Sequence, residues 1–137
     1  VEIVATQTYS THGITVKYED NSEKVLQALK RATLRGLEAC GAVAESYAKK
    51  ELSKSKPHKD GSVRPNVITG RLRNSISHTL GSNVGSETAV YIGTNVSYAP
   101  FVELGTRKSP AYPYLKPAAT QHTEEYRSIL KNSLKNA

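Results

Sequence analysis

From Ser22 to Ser53, Val25, Leu29, Thr33, Gly36, Cys40, Val43 and Tyr47 return every three or four positions, and Leu26, Leu37, Ala44 and Ala48 widen the stripe. That is the spacing of one amphipathic helix. Asn21 or Ser22 can accept hydrogen bonds from the free amides of its first turn, and Glu23 sits at its positive end. At 1.5 Å per residue such a helix measures about 48 Å. A single domain of 137 residues is narrower than this, so one end must protrude or the helix must bend. Gly36 and Gly41 could bend it; with Ala32, Cys40 and Ala44 they also form a small-residue surface for close approach, and packing is expected ahead of bending. Cys40 on this stripe reads as a small buried hydrophobe rather than a nucleophile.

Around the helix the periodicity changes. EIVATQTY and GITVKYED flank the turn-like STHG, and their partial alternation of β-branched, aromatic and polar residues predicts a hairpin. Downstream, KSKPHKDGSVRPN breaks all periodicity with Pro57, Gly61 and Pro65 and predicts an exposed basic loop over 55–66. VITGRLRNSISHTL predicts a short helix near Thr69–Ile76, with Thr69 as its cap and Leu72 and Ile76 on one side. SISHTLGSN and GSETAVYIGTN predict two antiparallel strands with Gly81, Asn83 and Gly85 in the turn. Finally AATQHTEEYRSILKNSLKN places Ala118, His122, Tyr126, Ile129 and Leu130 or Leu134 at the spacing of a C-terminal helix.

Charge and composition narrow the function classes. The net charge is +7. Its excess sits in Lys54, Lys56, Lys59, Arg64, Arg71 and Arg73 against Asp60, and in Arg107, Lys108, Lys116, Arg127, Lys131 and Lys135 against Glu124 and Glu125. Such clusters suit an anionic partner, but the first also suits a solvated loop, which is preferred because no interleaved aromatic offers a stacking platform. One cysteine makes no internal disulfide, and His12, His58, His78 and His122 lack ligand spacing, so no metal or other cofactor is expected. No run reaches the roughly 18 apolar residues of a membrane helix, and the N-terminus lacks the layout of a signal peptide. A soluble, unexported single domain is the expectation.

The stretch YAPFVELGTRKSPAYPYLKP, 98–117, poses the sharpest local question. Tyr98, Phe101 or Val102, and Leu104 form one side of a helical turn, Pro100 is tolerated early in it, and Gly105 stops it in a left-handed conformation. Glu103 then lies at the negative end of a helix, where a carboxylate is disfavoured unless a base such as Arg71, Arg73 or Arg107 meets it. Beyond Gly105, Pro110, Pro113 and Pro117 predict a stiff extended strap. Tyr112, Tyr114 and Leu115 on that strap either dock on a protein partner or fold back over a sheet edge.

Three of these stretches in order, ITGRLRNSI, AVYIGTNVSYAPFVELGT and PAYPYLKPA, spanning about 68–119, resemble the tail-component family of long-tailed bacteriophages, the small head-to-tail joining or tail-completion proteins. The first two follow the spacings TG-x-L-x-x-S and G-x-x-x-x-YA-x-x-x-E-x-G. The resemblance points to Thr69, Gly70, Leu72, Ser75, Gly93, Tyr98, Ala99, Glu103, Gly105, Pro113, Leu115, Pro117 and Ala118 as determinants of fold and assembly, with Tyr114 standing where phenylalanine is frequent. It implies an α+β fold in which a curved antiparallel sheet of about four or more strands packs on one long helix, with a C-terminal helix behind.

The function that follows is a virion structural protein, at the neck or the top of the tail tube and in the host cytoplasm during assembly. It would be one subunit of a homo-oligomeric ring, a hexamer or dodecamer. Its partners would be connector or head-completion proteins and tail tube or tail terminator proteins, with genomic DNA passing through the bore. The interface candidates are Arg71, Arg73, Tyr98, Glu103, Arg107, Tyr112, Tyr114 and Leu115. The alternative is a small basic nucleic-acid-binding module, although no zinc pattern, aromatic RNA-binding strand or clear recognition helix accompanies the charge. No enzyme is expected: Ser75, His78 and Glu103 can be imagined as a triad, but no nucleophile elbow or phosphate-binding glycine loop goes with them.

Overall fold

The structure is a computed structural model, and it describes residues 5–57, 63–65, 70–82, 88–108 and 110–137. The predicted cap Thr69, the histidine His58, the turn residues Asn83 and Gly85, and most of the basic stretch 58–69 lie outside the described residues.

The chain is α+β. Strands β1 (Ala5–Thr11) and β2 (Ile14–Asp20) pair antiparallel, joined by His12 and Gly13 at φ 50° and 79°. Positive φ at both central residues matches the twist of the flanking strands. Helix α1 (Ser22–Leu52) follows as one 31-residue element, about 46 Å long. Asn21 occupies its cap position without a side-chain hydrogen bond; the Asp20 carboxylate instead accepts the Ser22 N–H at 2.9 Å, and the hydrogen bonds from Ser22 lower its pKa. Burial along α1 begins at Ala32, while Val25, Leu26 and Leu29 remain exposed. The end that protrudes is therefore the N-terminal one.

Three two-stranded antiparallel sheets are seen among the described residues, which corrects the expectation of one curved sheet of four or more strands. Besides β1–β2 there are β3 (Ser55–Pro57) with β4 (Val63–Pro65), and β5 (Ser77–Ser82) with β6 (Thr88–Gly93). Alternation in sequence sets which side chains share a face, and it says nothing of which hairpin lies beside which. The predicted basic loop thus holds a short ladder in which Ser55 pairs with Pro65. Gly81, expected in a turn, lies within β5 opposite Ala89, where a Cβ would come within 3.1 Å of the Tyr91 ring.

The core sits at the C-terminal half of α1. Ala48, Leu52, Ile76, Tyr114 and Ala118 are buried there, and Tyr47, Leu72, Ile92, Val102 and Leu115 pack around them. Helix α2 (Arg71–Ser75) supplies Leu72 and leads into Ile76. Its cap position belongs to Gly70 at φ 74°, a conformation that only glycine adopts without strain.

Gly36 and Gly41 act as close-approach points. A Cβ on Gly36 would lie 2.9 Å from Leu130 Cδ2, and one on Gly41 would lie 2.6 Å from both the His78 ring and Val90 Cγ2. Gly36 therefore seats α5 (Thr123–Lys135) on α1, and Gly41 seats the β5–β6 hairpin. Cys40 is buried between them, its thiol pushed up in pKa by that burial, and its Sγ donates to the Tyr126 carbonyl at 3.5 Å. At Gly93, by contrast, a Cβ would meet nothing within 4 Å and φ is not positive, so no steric requirement makes it a fold determinant.

The predicted C-terminal helix is two. Helix α4 (Leu115–Thr120) ends at Gln121, and α5 starts at Thr123. The strap accordingly ends earlier than its prolines suggested. Pro117 is the third residue of α4, in the first turn where no intrahelical hydrogen bond is lost, so proline fits there as well as in extended chain.

Candidate functional site

Helix α3 (Ala99–Leu104) and the N-terminus of α4 are joined by a reversal of the chain at Gly105. Pro100 lies in the first turn of α3, and Gly105 ends it at φ 79°, ψ 172°. This is an extended positive-φ conformation essentially restricted to glycine, and not the left-handed helical one expected from sequence. The Gly105 N–H donates to the Phe101 carbonyl at 2.9 Å, and the chain then doubles back so that the Tyr112 N–H donates to the Val102 carbonyl at 2.8 Å. A Cβ on Gly105 would lie 2.7 Å from the Ala111 backbone nitrogen.

That reversal delivers the chain to Glu103. Its Oε2 accepts the N–H groups of Tyr114 at 2.7 Å and Leu115 at 3.0 Å, and its Oε1 accepts that of Lys116 at 3.0 Å. The positive partner required by a carboxylate at the end of α3 is therefore the free amide end of α4, in place of the guanidinium of Arg71, Arg73 or Arg107. Arg73 Nη1 instead donates to Ser53 Oγ at 3.2 Å, tying α2 to the end of α1, while Arg71 and Arg107 are exposed.

Burial divides the remaining candidates. Tyr114 is fully buried in the core, which corrects its assignment as an interface side chain; Leu115 packs against the same core and Tyr112 is half-buried. Pro113 is exposed. Tyr98, Phe101 and Leu104, three residues apart, remain exposed on one side of α3, while Ala99 and Val102 turn inward. Leu104 borders an open cleft of about 480 Å³ walled by Val96, Ala99, Pro100, Tyr114 and Leu115. Sequence spacing predicted this stripe, but did not settle whether Phe101 or Val102 was the outward member.

The Tyr114 hydroxyl is buried without a hydrogen-bond partner, and burial pushes its pKa up to about 12. An unpaired buried hydroxyl carries a desolvation cost. Tyr114→Phe is therefore expected to stabilise the fold by about 1 kcal/mol in denaturant unfolding; a loss of stability would mean that the hydroxyl is satisfied.

The imagined triad is not assembled. Ser75 Oγ donates to the Leu72 carbonyl at 2.7 Å and also hydrogen-bonds Thr94 Oγ1. Both ring nitrogens of His78 face carboxylates, Nδ1 to Glu45 Oε2 at 2.6 Å and Nε2 to Glu38 Oε1 at 2.8 Å, and Glu103 is committed to backbone.

His78 is instead a clamp between β5 and α1. Only the doubly protonated imidazolium donates from both nitrogens, so hydrogen bonds to Glu45 and then Glu38 raise its pKa from 6.5. On the other side, hydrogen bonds from Lys49 and His78 lower the pKa of Glu45 from 4.5. A raised histidine stabilises fully below its unfolded pKa and loses that contribution as pH rises through the folded one; a lowered glutamate loses its contribution as pH falls through its own. The clamp is thus strongest between 4.5 and 6.5. The melting temperature should fall by about 3 °C from pH 6 to pH 8.5, corresponding to roughly 1 kcal/mol. His78→Gln should flatten that slope, and an unchanged slope would remove the clamp from the account.

No family model, curated protein or solved structure matches the chain.

Proposed function

We propose that this chain is a structural subunit of a bacteriophage head–tail joining or tail-completion ring. The observation that carries the reading is that the three stretches resembling the tail-component family pack as one unit. Leu72 and Ile76 from the first, Val102 from the second, and Tyr114, Leu115 and Ala118 from the third meet in a single cluster. Ser75 with Thr94 ties the first stretch to the second, and Glu103 with the amides of 114–116 ties the second to the third. Residues that the resemblance singles out at scattered positions thus have interlocking roles, as fold and assembly determinants would.

The surface agrees with work done by self-association. Large apolar side chains stand exposed on the hairpin β1–β2, on the first turns of α1 and on α3, and grouped exposed apolar side chains are what an association surface presents. The basic clusters then face neighbouring rings or the phosphates of DNA in the bore, without sequence preference.

Sedimentation of the full chain across concentration, followed by imaging of antibody-labelled particles, tests the reading. Concentration-dependent rings and label at the neck are expected. A monomer absent from purified particles, and binding mixed-sequence duplex at micromolar concentration and physiological salt, would replace it with a nucleic-acid-binding module.

A further inference from the structure

The row of α1 on which α5 lies continues past the end of α5. Ala32, Gly36 and Cys40 form its covered part, where Ser133 Oγ donates to the Ala32 carbonyl at 2.6 Å and Leu130 is seated over Gly36. Val25 and Leu29 extend the same row toward the N-terminus, at the same spacing of three or four residues. They are 53 and 40 % exposed, and Leu26 beside them is 65 % exposed. On α5, Leu134 directly follows Ser133 and is 40 % exposed. The seam is thus covered where Leu130 and Ser133 meet α1, and open at Val25, Leu26, Leu29 and Leu134.

Packing gathers cations around the open part that are far apart in sequence. Between Glu23 and Glu38, α1 carries Lys24, Lys30, Arg31 and Arg35 and no acid; after Glu125, α5 carries Arg127, Lys131 and Lys135 and no acid. The contact of Ser133 with Ala32 brings these two segments together. Helical spacing sets Arg31 and Arg35 on one flank of the Val25–Leu29 row and Lys30 on the other. All are exposed, and among the described residues none of Lys30, Arg31, Arg35, Lys131 and Lys135 meets a carboxylate. An apolar centre inside a charged rim is the layout of a protein interface. A phosphate backbone would make no use of that centre.

We propose that the open seam receives a helix of another protein, apolar on one face and acidic along its flanks, lying end to end with α5 on the same row of α1. That the occupant is a helix follows from α5, which shows what this row accepts; that its flanks are acidic follows from the unpaired rim. A second copy does not fit. Docking this surface on itself would set bases against bases, and the helical acids Glu38, Glu45, Glu51, Glu124 and Glu125 are already engaged with His78, Lys54, Arg127 or Tyr47. The contact is with a different protein, so it stands or falls apart from the self-association proposed above.

Two synthetic helical peptides of about five turns, with the same Leu and Ala face but flanked by Glu in one and by Lys in the other, serve as probes. Each is titrated into the full chain by fluorescence anisotropy at low salt. The Glu-flanked peptide should bind roughly tenfold more tightly than the Lys-flanked one. Leu26→Ser with Leu29→Ser, both exposed positions, should weaken its binding by about tenfold. Lys30→Glu with Lys131→Glu removes no apolar contact, so melting should match the parent protein, and this variant should prefer the Lys-flanked peptide.

A preference unmoved by the charge reversal, or a serine variant that binds as well as the parent, overturns the contact. So does a parent protein that takes vesicles of phosphatidylcholine with phosphatidylserine, or mixed-sequence duplex, ahead of the Glu-flanked peptide, since the occupant is then a membrane or a nucleic acid. Sedimentation separates this contact from the ring. Both variants should assemble as the parent does; if they fail to, the seam is a contact between copies, and this inference falls while self-association stands. A parent that stays monomeric yet discriminates the two peptides sustains this contact and removes the ring.

Discussion

Gly105→Ala should lower the unfolding free energy by about 4 kcal/mol, summing roughly 1–3 kcal/mol for a side chain held in a glycine-only conformation and a similar amount for the forced contact. The residue sits at φ 79°, ψ 172°, and the added Cβ would stand 2.7 Å from the Ala111 nitrogen and 3.1 Å from its Cα. Those are backbone atoms, so no rotamer change relieves the overlap. Moving them would break the Tyr112-to-Val102 hydrogen bond and carry Tyr114 out of the core. Urea unfolding of the variant should show a lower midpoint with an unchanged slope. A cost below about 1 kcal/mol would mean that the loop relaxes freely and that α3 and α4 are not locked together by this turn.

What the sequence disclosed and what it withheld divide along the range of the interactions. The stripe from Val25 to Tyr47 made α1 readable because helical periodicity is local, and the length of that helix required either a protruding end or a bend. The alternation in β1 and β2 was readable for the same reason. The grouping of hairpins was not, since pairing between distant strands is written in no local pattern. Proline misled at Pro117 because a φ near −65° suits both an extended strap and the first turn of a helix. The break between α4 and α5 was hidden because Ala118, His122 and Tyr126 keep helical spacing across it. These residues meet α1 from both sides of the break: Ala118 joins the core, and the His122 ring stacks on Tyr47 with centroids 3.5 Å apart.

The site shows the same division. The need for a positive partner at Glu103 followed from the helix end beside it, but the partner is a row of backbone amides, and amides have no letter in a sequence. Arginines do, and so Arg71, Arg73 and Arg107 were the partners legible in the sequence. His78 was passed over for a related reason: Glu38 and Glu45 are seven residues apart on α1 and became its partners only once Gly41 let β5 approach. A glycine inside an amphipathic stripe, with acids on either side, was the available signal.

Glu103→Ala is expected to cost about 3 kcal/mol, since it removes three charge-assisted hydrogen bonds, each worth roughly 1.5–3 kcal/mol when fully buried and less here, where the carboxylate is partly exposed. The amides of Tyr114, Leu115 and Lys116 would then have to find water, and that of Tyr114 belongs to a residue with no exposed surface. The fall should therefore exceed the ~1 kcal/mol typical of a lost helix cap. Glu103→Gln separates charge from shape. Its one carbonyl oxygen can accept from Tyr114 and Leu115, but its NH₂ group would face the Lys116 N–H, so about half the loss should remain. Arg71→Ala and Arg107→Ala, by contrast, should leave the Glu103 contribution untouched. In double-mutant cycles, coupling between Glu103 and either arginine should stay within about 0.5 kcal/mol. Coupling well above that would mean that a guanidinium holds the carboxylate, and the capped α4 would no longer explain why a glutamate stands at the end of α3.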